Sequence, residues 1–546
     1  MFRKLLFILV LASSASAQKI TPPPDAAAQV AKIFSPFNHT DSPGCTVGAS
    51  IDDAPVLSAA YGMADLEHDI ALTPDSVFEP GSVTKQFTAA AVLLLAQDGK
   101  LSLDDPIRKY FPELPDYATT ITIRNLLNHT SGLRDWGNIA DIEGWPRTTR
   151  ANSNINVLEI ASRQRELNYQ PGAAYSYTNT GFNLLALLVG RVSGKSLAEF
   201  THERIFVPLG MDSTQWRDDF QRIVHNRAIA YSQNHGTTHQ LMPFENAHGN
   251  GGLLTTIGDL LRWNRNFTEM KVGGPEFIKA QLQQGRLNDG RTIAYAAGLV
   301  VSTYKGVREI SHSGATAGYR GWLARYPDQG LSVAVLCNTG SANPGELGRE
   351  VGDVYLAGVL PKEETKPPFV VDAKTLQSEA GLYRSDRDHG ALSVLLKDGQ
   401  LQLETGAVLR PISTTSFLMG ENGPIVSFES SPSGEVARMH FANDVDGGHD
   451  FDRVAPAHPS REDLAALTGD YTSKEAEVTL TVKLAANGLE IHRRPDTVIP
   501  LTPTYADGFS SDLGSIRFLR DSSGKVTEMS IGQDRVWDLR LRRAAK

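Results

Sequence analysis

The stretch Gly81-Ser-Val-Thr-Lys-Gln-Phe-Thr-Ala-Ala-Ala-Val-Leu-Leu-Leu95 places a serine and a lysine at the start of a long apolar segment. Apolar residues occur nearly all round the helical wheel and stop before Gly99, which predicts a buried helix over residues 82–98. Because positions i and i+3 of a helix share a face, Ser82 and Lys85 are predicted to lie side by side. Gly81 permits a tight turn into that helix.

This placement of serine and lysine suits acyl transfer. The backbone amide of Ser82 at a helix start has no partner within the helix and can donate to an oxyanion. Burial and the helix dipole both disfavour an ammonium at Lys85, so its amine can accept the serine proton. The alternative is an N-cap serine beside an exposed lysine, and this segment by itself leaves both interpretations open.

From residue 20 onward the pattern Ser-x-x-Lys occurs three times, and local context separates the copies. Ser302–Lys305 falls in a segment with strand patterning, where residues three apart point to opposite faces. Ser522–Lys525 contains a glycine and is predicted to form a hairpin turn. Only Ser82–Lys85 begins a helix, so this copy supplies the candidate nucleophile and base.

Strand patterns lie at both ends of the first 360 residues. A hairpin is predicted over 45–62, and further strands are predicted over 296–302, 307–312, 319–326 and 331–337. The residues from 100 to about 290 are mostly helical patches separated by Gly, Pro and Asn loops. This order predicts one α/β domain over residues 18–360. Strands from the two distant ends of this domain are expected to pair in one sheet that they close.

The remaining residues contain an internal repeat. Residues 361–374 begin with a charged, Pro-rich segment and are predicted to be a linker. Gly381-Leu-Tyr-Arg-Ser385 then matches Gly469-Asp-Tyr-Thr-Ser473, and short alternating segments with Gly turns follow in both copies. This pattern predicts two antiparallel β-repeats, 375–456 and 457–546, each a small barrel or sandwich.

The N-terminal residues and the net charge limit the compartment in which the protein works and the partners that it can bind. A basic start, a short apolar run and Ala15-Ser-Ala17 predict a signal peptide over residues 1–17, and hence a secreted or periplasmic protein. No later segment is long and apolar enough to span a membrane. The net charge of −9 is spread along the chain, which disfavours nucleic acid as a partner. The sequence does not determine the oligomeric state.

The chain has two cysteines, Cys45 and Cys337, each in a strand-like apolar run. Export permits a disulfide, but two cysteines are not a disulfide framework. The favoured interpretation is that both are buried small hydrophobic side chains.

Two further motifs are unique in the chain. Tyr177-Thr-Asn179 can supply a proton relay and an amide in one cleft, although an aromatic loop with a helix-capping Asn explains it equally. His312-Ser-Gly314 lets a substrate backbone approach a strand edge, although a structural histidine is the plain alternative.

His235-Gly-Thr-Thr-His239 has the spacing of a helical metal pair but lies in a polar, Gly-containing loop, so no metal or cofactor is predicted.

Together these motifs resemble the serine β-lactamase and penicillin-recognising family, in particular its class C-like branch. The resemblance covers about residues 30 to 360. The matching phrases are Phe78-Glu-Pro-Gly-Ser-Val-Thr-Lys-Gln-Phe-Thr88, Ile123-Arg-Asn-Leu-Leu-Asn-His-Thr-Ser-Gly-Leu133, Tyr177-Thr-Asn-Thr-Gly181, Gly251-Gly-Leu-Leu-Thr-Thr256 and His312-Ser-Gly314. It implies a mixed antiparallel sheet flanked by helices, with a helical subdomain.

The resemblance also implies roles for individual residues. Ser82 would be the nucleophile, Lys85 its activating base and Tyr177 the relay that protonates the leaving group. Asn179 would bind the substrate amide, and the amides of Ser82 and Ala315 would form the oxyanion hole. His312 and Gly314 would line the far wall of the cleft.

One departure from the family pattern bears on the substrate. Lactamases and transpeptidases of this family usually carry Lys-Thr-Gly where this chain has His312-Ser-Gly314, and a largely neutral histidine is a weaker anion site. His-x-Gly is more similar to the D-aminopeptidase branch, which also carries paired C-terminal β-barrels. The expected function is an acyl-enzyme hydrolase of small peptides, amides or esters. Esterase or β-lactamase activity, and a non-catalytic module that binds penicillin or cell-wall polymer, are the alternatives.

Overall fold

The structure is a computed structural model that describes residues 20–147, 149–361, 369–420, 423–443 and 445–545. The predicted signal peptide, residues 1–17, lies outside the described residues, as does most of the Pro-rich start of the predicted linker. Across the described residues, no helix combines the length and the apolar character needed to cross a bilayer.

A six-stranded antiparallel sheet forms the centre of the N-terminal part. The strands before residue 340 are β1 Cys45–Ile51, β2 Ala54–Tyr61, β3 Met63–Asp65, β4 Ile70–Ala71, β5 Gln215–Trp216, β6 Tyr231–Asn234, β7 Thr237–Gln240, β8 Leu253–Leu254, β9 Val300–Tyr304, β10 Val307–Thr316, β11 Tyr319–Tyr326 and β12 Leu331–Cys337. The sheet has the order β2-β1-β12-β11-β10-β9. Its outer strands come from both ends of this part, so the prediction that distant segments close the sheet is confirmed.

Helices cover both faces of this sheet and form the middle of the chain. Their bounds are α1 Ala26–Ile33, α2 Lys85–Gln97, α3 Ile123–Leu127, α4 Trp136–Glu143, α5 Asn154–Arg163, α6 Asn179–Ser193, α7 Leu197–Thr201, α8 Val207–Leu209, α9 Ile257–Glu269, α10 Gly274–Gln281 and α11 Pro344–Leu356. Two short helices, α12 Ala373–Glu379 and α13 Arg461–Ala466, each precede one of the C-terminal β-repeats. One face of the sheet packs on α1 and α11, and the other packs on α2 and α9. The predicted α/β class with a helical subdomain is therefore confirmed.

Helix α2 is buried along its first eleven residues, from Lys85 to Leu95, as its apolar circumference predicts. The residues just before it form a 3-10 turn, Gly81–Thr84, rather than the first turn of an α-helix. Side chains three residues apart eclipse each other in 3-10 geometry, so this turn still aligns Ser82 with Lys85. Gly81 has a φ of +54°, in the left-handed region.

The C-terminal repeats are two closed antiparallel barrels of eight strands each, which decides between the predicted barrel and sandwich. The first barrel contains β13 Gly381–Ser385, β14 Ala391–Lys397, β15 Gln400–Leu403, β16 Val408–Pro411, β17 Ser416–Met419, β18 Ile425–Ser430, β19 Val436–Phe441 and β20 His449–Val454. The second contains β21 Gly469–Ser473, β22 Val478–Ala485, β23 Gly488–Arg493, β24 Thr497–Pro503, β25 Gly508–Ser511, β26 Gly514–Arg520, β27 Val526–Gln533 and β28 Val536–Arg543.

The two barrels repeat the same local contacts. The hydroxyl of Tyr383 donates to the backbone carbonyl of Glu379 over 2.7 Å, and the hydroxyl of Tyr471 donates to that of Leu467 over the same distance. Each of these buried tyrosines lies against a buried phenylalanine of its own barrel. The sequence repeat therefore marks equivalent core positions, where a buried phenol must find a carbonyl partner.

The second barrel is packed firmly against the helical part of the N-terminal domain. Its apolar core is continuous with Trp136 and Ile139 of α4 and Val157 of α5. Beside this core, the almost fully buried guanidinium of Arg134 donates to Glu475 of the barrel over 2.8 Å. This joint brings the turn between β27 and β28 into contact with Asp135 and Asn168 of the N-terminal domain.

A buried ion pair fixes the segment in front of Ser82. Arg217 donates to both carboxylate oxygens of Glu79, over 2.7 and 3.1 Å, and both side chains are at most 1% exposed. The backbone N–H of Gly252 donates to the same carboxylate over 3.0 Å. Burial by itself would raise the pKa of Glu79, but the charge and hydrogen bonds of Arg217 hold it below its ordinary value.

Cys45 and Cys337 form a disulfide, so the prediction of two unpaired buried cysteines is wrong. The pairing of β1 with β12 places the two residues directly opposite each other, with Cα atoms 4.0 Å apart. Both lie in strand-like runs, as predicted, but the sequence did not indicate that these runs are neighbours in the sheet. The covalent bond joins the two ends of the N-terminal part.

We expect protein purified without reductant and then denatured to contain no free thiol. The variant Cys45→Ser/Cys337→Ser is expected to fold, because the strands remain paired, but to unfold with about 2–5 kcal/mol less free energy. Thiol titration and denaturant unfolding measure the two effects. Two free thiols per chain in the unreduced protein would contradict the disulfide.

Replacing Glu79 by Gln is expected to lower the free energy of unfolding by about 3–5 kcal/mol, because Arg217 then becomes a buried cation without its counter-ion. The exposed pair of Arg204 and Asp98 makes the same two-point contact, over 2.8 and 3.2 Å, and supplies the control. Asp98→Asn is expected to cost less than about 1 kcal/mol. Equal losses in the two variants, measured by denaturant unfolding, would refute the special role of the buried pair.

Candidate active site

A cleft of about 1460 Å³ opens beside the 3-10 turn that begins α2. It runs along the edge of β10 and is bounded by the loop before α6 on the other side. All the predicted site residues except the more deeply buried Lys85 line it: Ser82, Tyr177, Asn179, His312, Gly314 and Ala315.

Lys85 is fully buried directly beneath Ser82. Its Nζ lies 3.1 Å from Ser82 Oγ, 3.0 Å from Asn179 Oδ1 and 2.7 Å from the backbone carbonyl of Asn250. Burial, and secondly the positive charge of Arg535, lower the pKa of Lys85 well below its ordinary value. A buried amine held only by neutral oxygens is thus expected to be uncharged.

The neutral amine has a definite orientation. It carries two N–H groups and one lone pair, and the oxygens of Asn179 and Asn250 can only accept hydrogen bonds. The two N–H groups therefore point to these oxygens, which leaves the lone pair facing the Ser82 hydroxyl. In this arrangement Ser82 donates to Lys85, which is the direction that activates the serine oxygen.

Tyr177 covers the other side of the lysine. Its ring centroid is 4.7 Å from Lys85 Nζ, and the ring packs on His129 at 4.2 Å. Burial raises the pKa of Tyr177, and the nearby Ser82 hydroxyl offsets part of that rise. The Tyr177 hydroxyl is shielded from solvent and makes no hydrogen bond to any described residue. It lies beside the Ser82 hydroxyl, where it can donate to a group that reacts at the serine oxygen.

Asn179 is the first residue of α6, and its side chain does not cap that helix. Its amide oxygen accepts from Lys85 instead, and its backbone N–H donates to Asp135 Oδ2 over 2.6 Å. Asp135 also caps α4 by accepting from the backbone N–H of Gly137 over 2.9 Å. One carboxylate therefore orients the starts of two helices beside the cleft.

Gly314 and Ala315 lie against the turn that contains Ser82. A Cβ added at Gly314 would lie 2.0 Å from the carbonyl oxygen of Pro80 and 2.5 Å from the amide nitrogen of Ser82. One added at Gly81 would lie 2.4 Å from the amide nitrogen of Ala315. Only glycine at both positions allows the two backbones to come this close, which brings the amides of Ser82 and Ala315 together at the cleft.

His312 is buried and neutral. Its Nδ1 lies 2.6 Å from the backbone carbonyl of Ser313, which can only accept, so the proton resides on Nδ1. Nε2 then accepts from the Tyr295 hydroxyl over 3.0 Å. Burial is the main cause of the lowered pKa of His312, about 4, and any positive charge on Lys85 would act in the same direction. His312 therefore does not offer a cation to the cleft near neutral pH.

Several residues that contact the site were not singled out from the sequence. Tyr295 and His129 belong to an aromatic cluster around Tyr177, and His129 lies in a quoted family-like phrase without any indication of its contacts. Arg535 comes from the turn between β27 and β28, far outside the motifs. No local pattern marks Arg535 or Asp135, because their importance depends on packing between distant segments.

The patterns that were set aside occur in other settings. His235 is in the turn and His239 in the second strand of the hairpin formed by β6 and β7, so the pair does not have helical spacing. Ser302 lies in β9, and Ser522 lies in the turn between β26 and β27. Local structure thus separates these copies of Ser-x-x-Lys as predicted.

Known proteins were compared with the chain. Residues 30–354 match the family described as Beta-lactamase. The chain is 28% identical over 420 residues to penicillin-binding protein 4* of Bacillus subtilis (strain 168), which covers 72% of this chain and 90% of that protein. It is also 28% identical over 333 residues to protein flp of Staphylococcus aureus (strain N315), covering 58% of this chain and 64% of that protein.

Solved structures share the fold at lower sequence identity. An octameric penicillin-binding protein homologue from Pyrococcus abyssi superposes with a TM-score of 0.56 and 22% identity, covering 78% of this chain and 99% of that one. D-amino acid amidase from Ochrobactrum anthropi SV3 gives a TM-score of 0.53 and 22% identity, covering 61% and 98%. The family match extends over more than half of the sequence and includes every predicted site residue, and the chain therefore belongs to the beta-lactamase family.

Proposed function

We propose that this protein is an exported serine hydrolase that cleaves small peptides, amides or esters through an acyl-enzyme on Ser82. The observation that carries the proposal is the buried Lys85 amine, which contacts Ser82 Oγ and two neutral oxygens. A lysine in an ordinary solvated setting would be protonated and could not accept the serine proton. Membership of the beta-lactamase family supports the same reaction class.

In acylation, the Ser82 hydroxyl gives its proton to Lys85 Nζ while its oxygen attacks the substrate carbonyl. The negative charge that develops on the carbonyl oxygen is stabilised by the backbone N–H groups of Ser82 and Ala315. Tyr177, whose hydroxyl has no partner among the described residues, delivers a proton to the leaving nitrogen or oxygen as the bond to the carbonyl carbon breaks. Lys85 then returns its proton to Tyr177.

In deacylation, a water molecule attacks the ester carbonyl, gives a proton to the same base pair, and releases the acid with the proton restored to Ser82 Oγ. Asn179 holds Lys85 from one side and lines the cleft on the other, so its amide N–H groups are suited to bind a substrate carbonyl. Water is the only co-reactant, and the reaction needs no metal.

His312 provides no charge on β10 for the carboxylate of a β-lactam, because a histidine with a pKa of about 4 is neutral near pH 7. Binding of a β-lactam carboxylate at this strand is therefore disfavoured. The similarity to D-amino acid amidase extends to the fold and makes amino-acid amides a reasonable first class to test. Export is supported by the N-terminal sequence and by the disulfide, which persists in oxidising compartments.

A fluorophosphonate probe is expected to label the protein, and Ser82→Ala is expected to abolish the label because the nucleophilic oxygen is lost. Ser522→Ala is the matched control, since Ser522 also belongs to a Ser-x-x-Lys sequence but lies in an exposed turn. In-gel fluorescence measures the difference. Equal labelling of the two variants would show that the probe reacts elsewhere and would refute the proposal.

The value of kcat/KM is expected to fall as the pH drops through the lowered pKa of Lys85, because the ammonium cannot accept a proton. The rate should be close to its maximum at pH values well below the ordinary lysine pKa of about 10.4. Lys85→Arg, which stays protonated, is expected to lose at least about 100-fold in rate. A pH–rate profile that reaches half its maximum only near pH 10 would contradict a neutral Lys85.

A further inference from the structure

The second barrel reaches into the active-site cleft through a single side chain, Arg535. This residue lies in the turn between β27 and β28. Its backbone carbonyl accepts from the Asn168 side chain over 3.0 Å and from the backbone N–H of Asp135 over 3.3 Å. The turn is thus held by two loops of the N-terminal domain, and Arg535 has a defined position.

The guanidinium of Arg535 lies over the ring of Tyr177, with its central carbon 5.0 Å from the ring centroid. The side chain is 33% exposed and lines the same cleft as Ser82. Its nitrogens approach Asp534 at 3.3 Å and Asp135 at 4.0 Å. Within the described residues, the guanidinium makes these two ion-pair contacts but no hydrogen bond of good geometry, so most of its N–H groups remain available to a ligand.

The neighbouring carboxylates neutralise this cation only in part. Asp534 is 72% exposed, and an ion pair in such a solvated position is weak. The oxygens of Asp135 already accept from the backbone N–H groups of Gly137 and Asn179. A ligand carboxylate that accepts two parallel hydrogen bonds from Arg535 would therefore make contacts that neither aspartate makes.

The other cations described along the cleft are committed to partners. Arg349 donates to Glu309 over 2.7 Å, Lys305 pairs with Asp353 at 2.8 Å, and Arg147 pairs with Glu245. Arg320 donates to two backbone carbonyls, over 2.9 and 2.7 Å. Since His312 is neutral as well, Arg535 is the cation best placed to receive an anion beside Ser82.

We propose that Arg535 determines substrate specificity by binding a carboxylate of the substrate, so that the second barrel completes the substrate site. Arg535 lies outside residues 30–354, the part of the chain that matches the family. In this arrangement the anion site stands on the Tyr177 side of the cleft rather than on β10. The inference rests on the proposed hydrolase function, and it narrows the substrate class to peptides or amides with a nearby carboxylate.

The charge of Arg535 has a second effect that the experiment must separate. It contributes, after burial, to the lowered pKa of Lys85, so its removal is expected to shift the pH profile for every substrate. The shift in the pH profile is the same for two substrates that differ only in a carboxylate. The ratio of their kcat/KM values, measured on the pH plateau of each variant, therefore reports carboxylate binding alone.

Two substrate pairs test the proposal and locate the carboxylate. D-Ala-D-Ala is compared with D-Ala-D-Ala amide, which alters the leaving group, and succinyl-D-Ala p-nitroanilide is compared with succinamoyl-D-Ala p-nitroanilide, which alters the acyl part. In one pair, the wild-type kcat/KM is expected to favour the acid by about 10- to 100-fold, as for a hydrogen bond between charged groups. Arg535→Gln is expected to abolish this preference and Arg535→Lys to retain part of it.

Arg542→Gln is the matched control, because Arg542 lies on the same hairpin but is 88% exposed. It is expected to keep the wild-type preference. The proposal is overturned if the wild type prefers the acid in neither pair, or if Arg535→Gln lowers both members of a pair equally.

Probe labelling distinguishes failure of this inference from failure of the proposed function. If Ser82 is labelled but the acids compete with the probe no better than the neutral partners, the hydrolase proposal stands and the role of Arg535 is refuted. If Ser82 is not labelled, the hydrolase proposal fails, and calorimetric titration with the two acids and their neutral partners decides the role of Arg535. Equal affinity for acid and neutral ligand in that titration also refutes it.

Discussion

The burial of one amine without a carboxylate partner is the constraint on which the rest of the site depends. Lys85 is enclosed by α2, α6 and the loop around Asn250, and the atoms that contact its Nζ are neutral oxygens. A charge in this setting would lose its hydration with little compensation, so the neutral form is favoured. The same contacts direct the lone pair at Ser82, so the packing around Lys85 also prepares the amine to accept the serine proton.

Holding that amine in place requires segments from most of the N-terminal part. The sheet supplies Gly314 and Ala315 along β10, and the Glu79–Arg217 pair fixes the segment that leads into Ser82. The disulfide and the pairing of β1 with β12 then join the ends of the domain. Each of these contacts links residues distant in sequence, which is why the site forms only in the folded domain.

The barrels have different relations to this site. The core of the second barrel is continuous with α4 and α5, whereas the first barrel has an apolar core of its own. The sequence repeat predicted two equivalent β-units, and their tyrosine contacts are indeed equivalent. It could not predict that the second copy would present Arg535 to the cleft, since that depends on surfaces rather than on the repeated core positions.

Local rules in the sequence predict the buried α2 helix from its apolar circumference, the strands from their alternation, and the helix start that distinguishes Ser82 from Ser302 and Ser522. The tertiary structure decided what depends on proximity between distant segments. The cysteines looked unpaired because nothing in their spacing indicates that β1 and β12 are neighbours, and Tyr295, Asp135 and Arg535 carry no motif. Local hydrophobic patterns encode secondary structure, but electrostatic environments arise only when separate surfaces meet and exclude water.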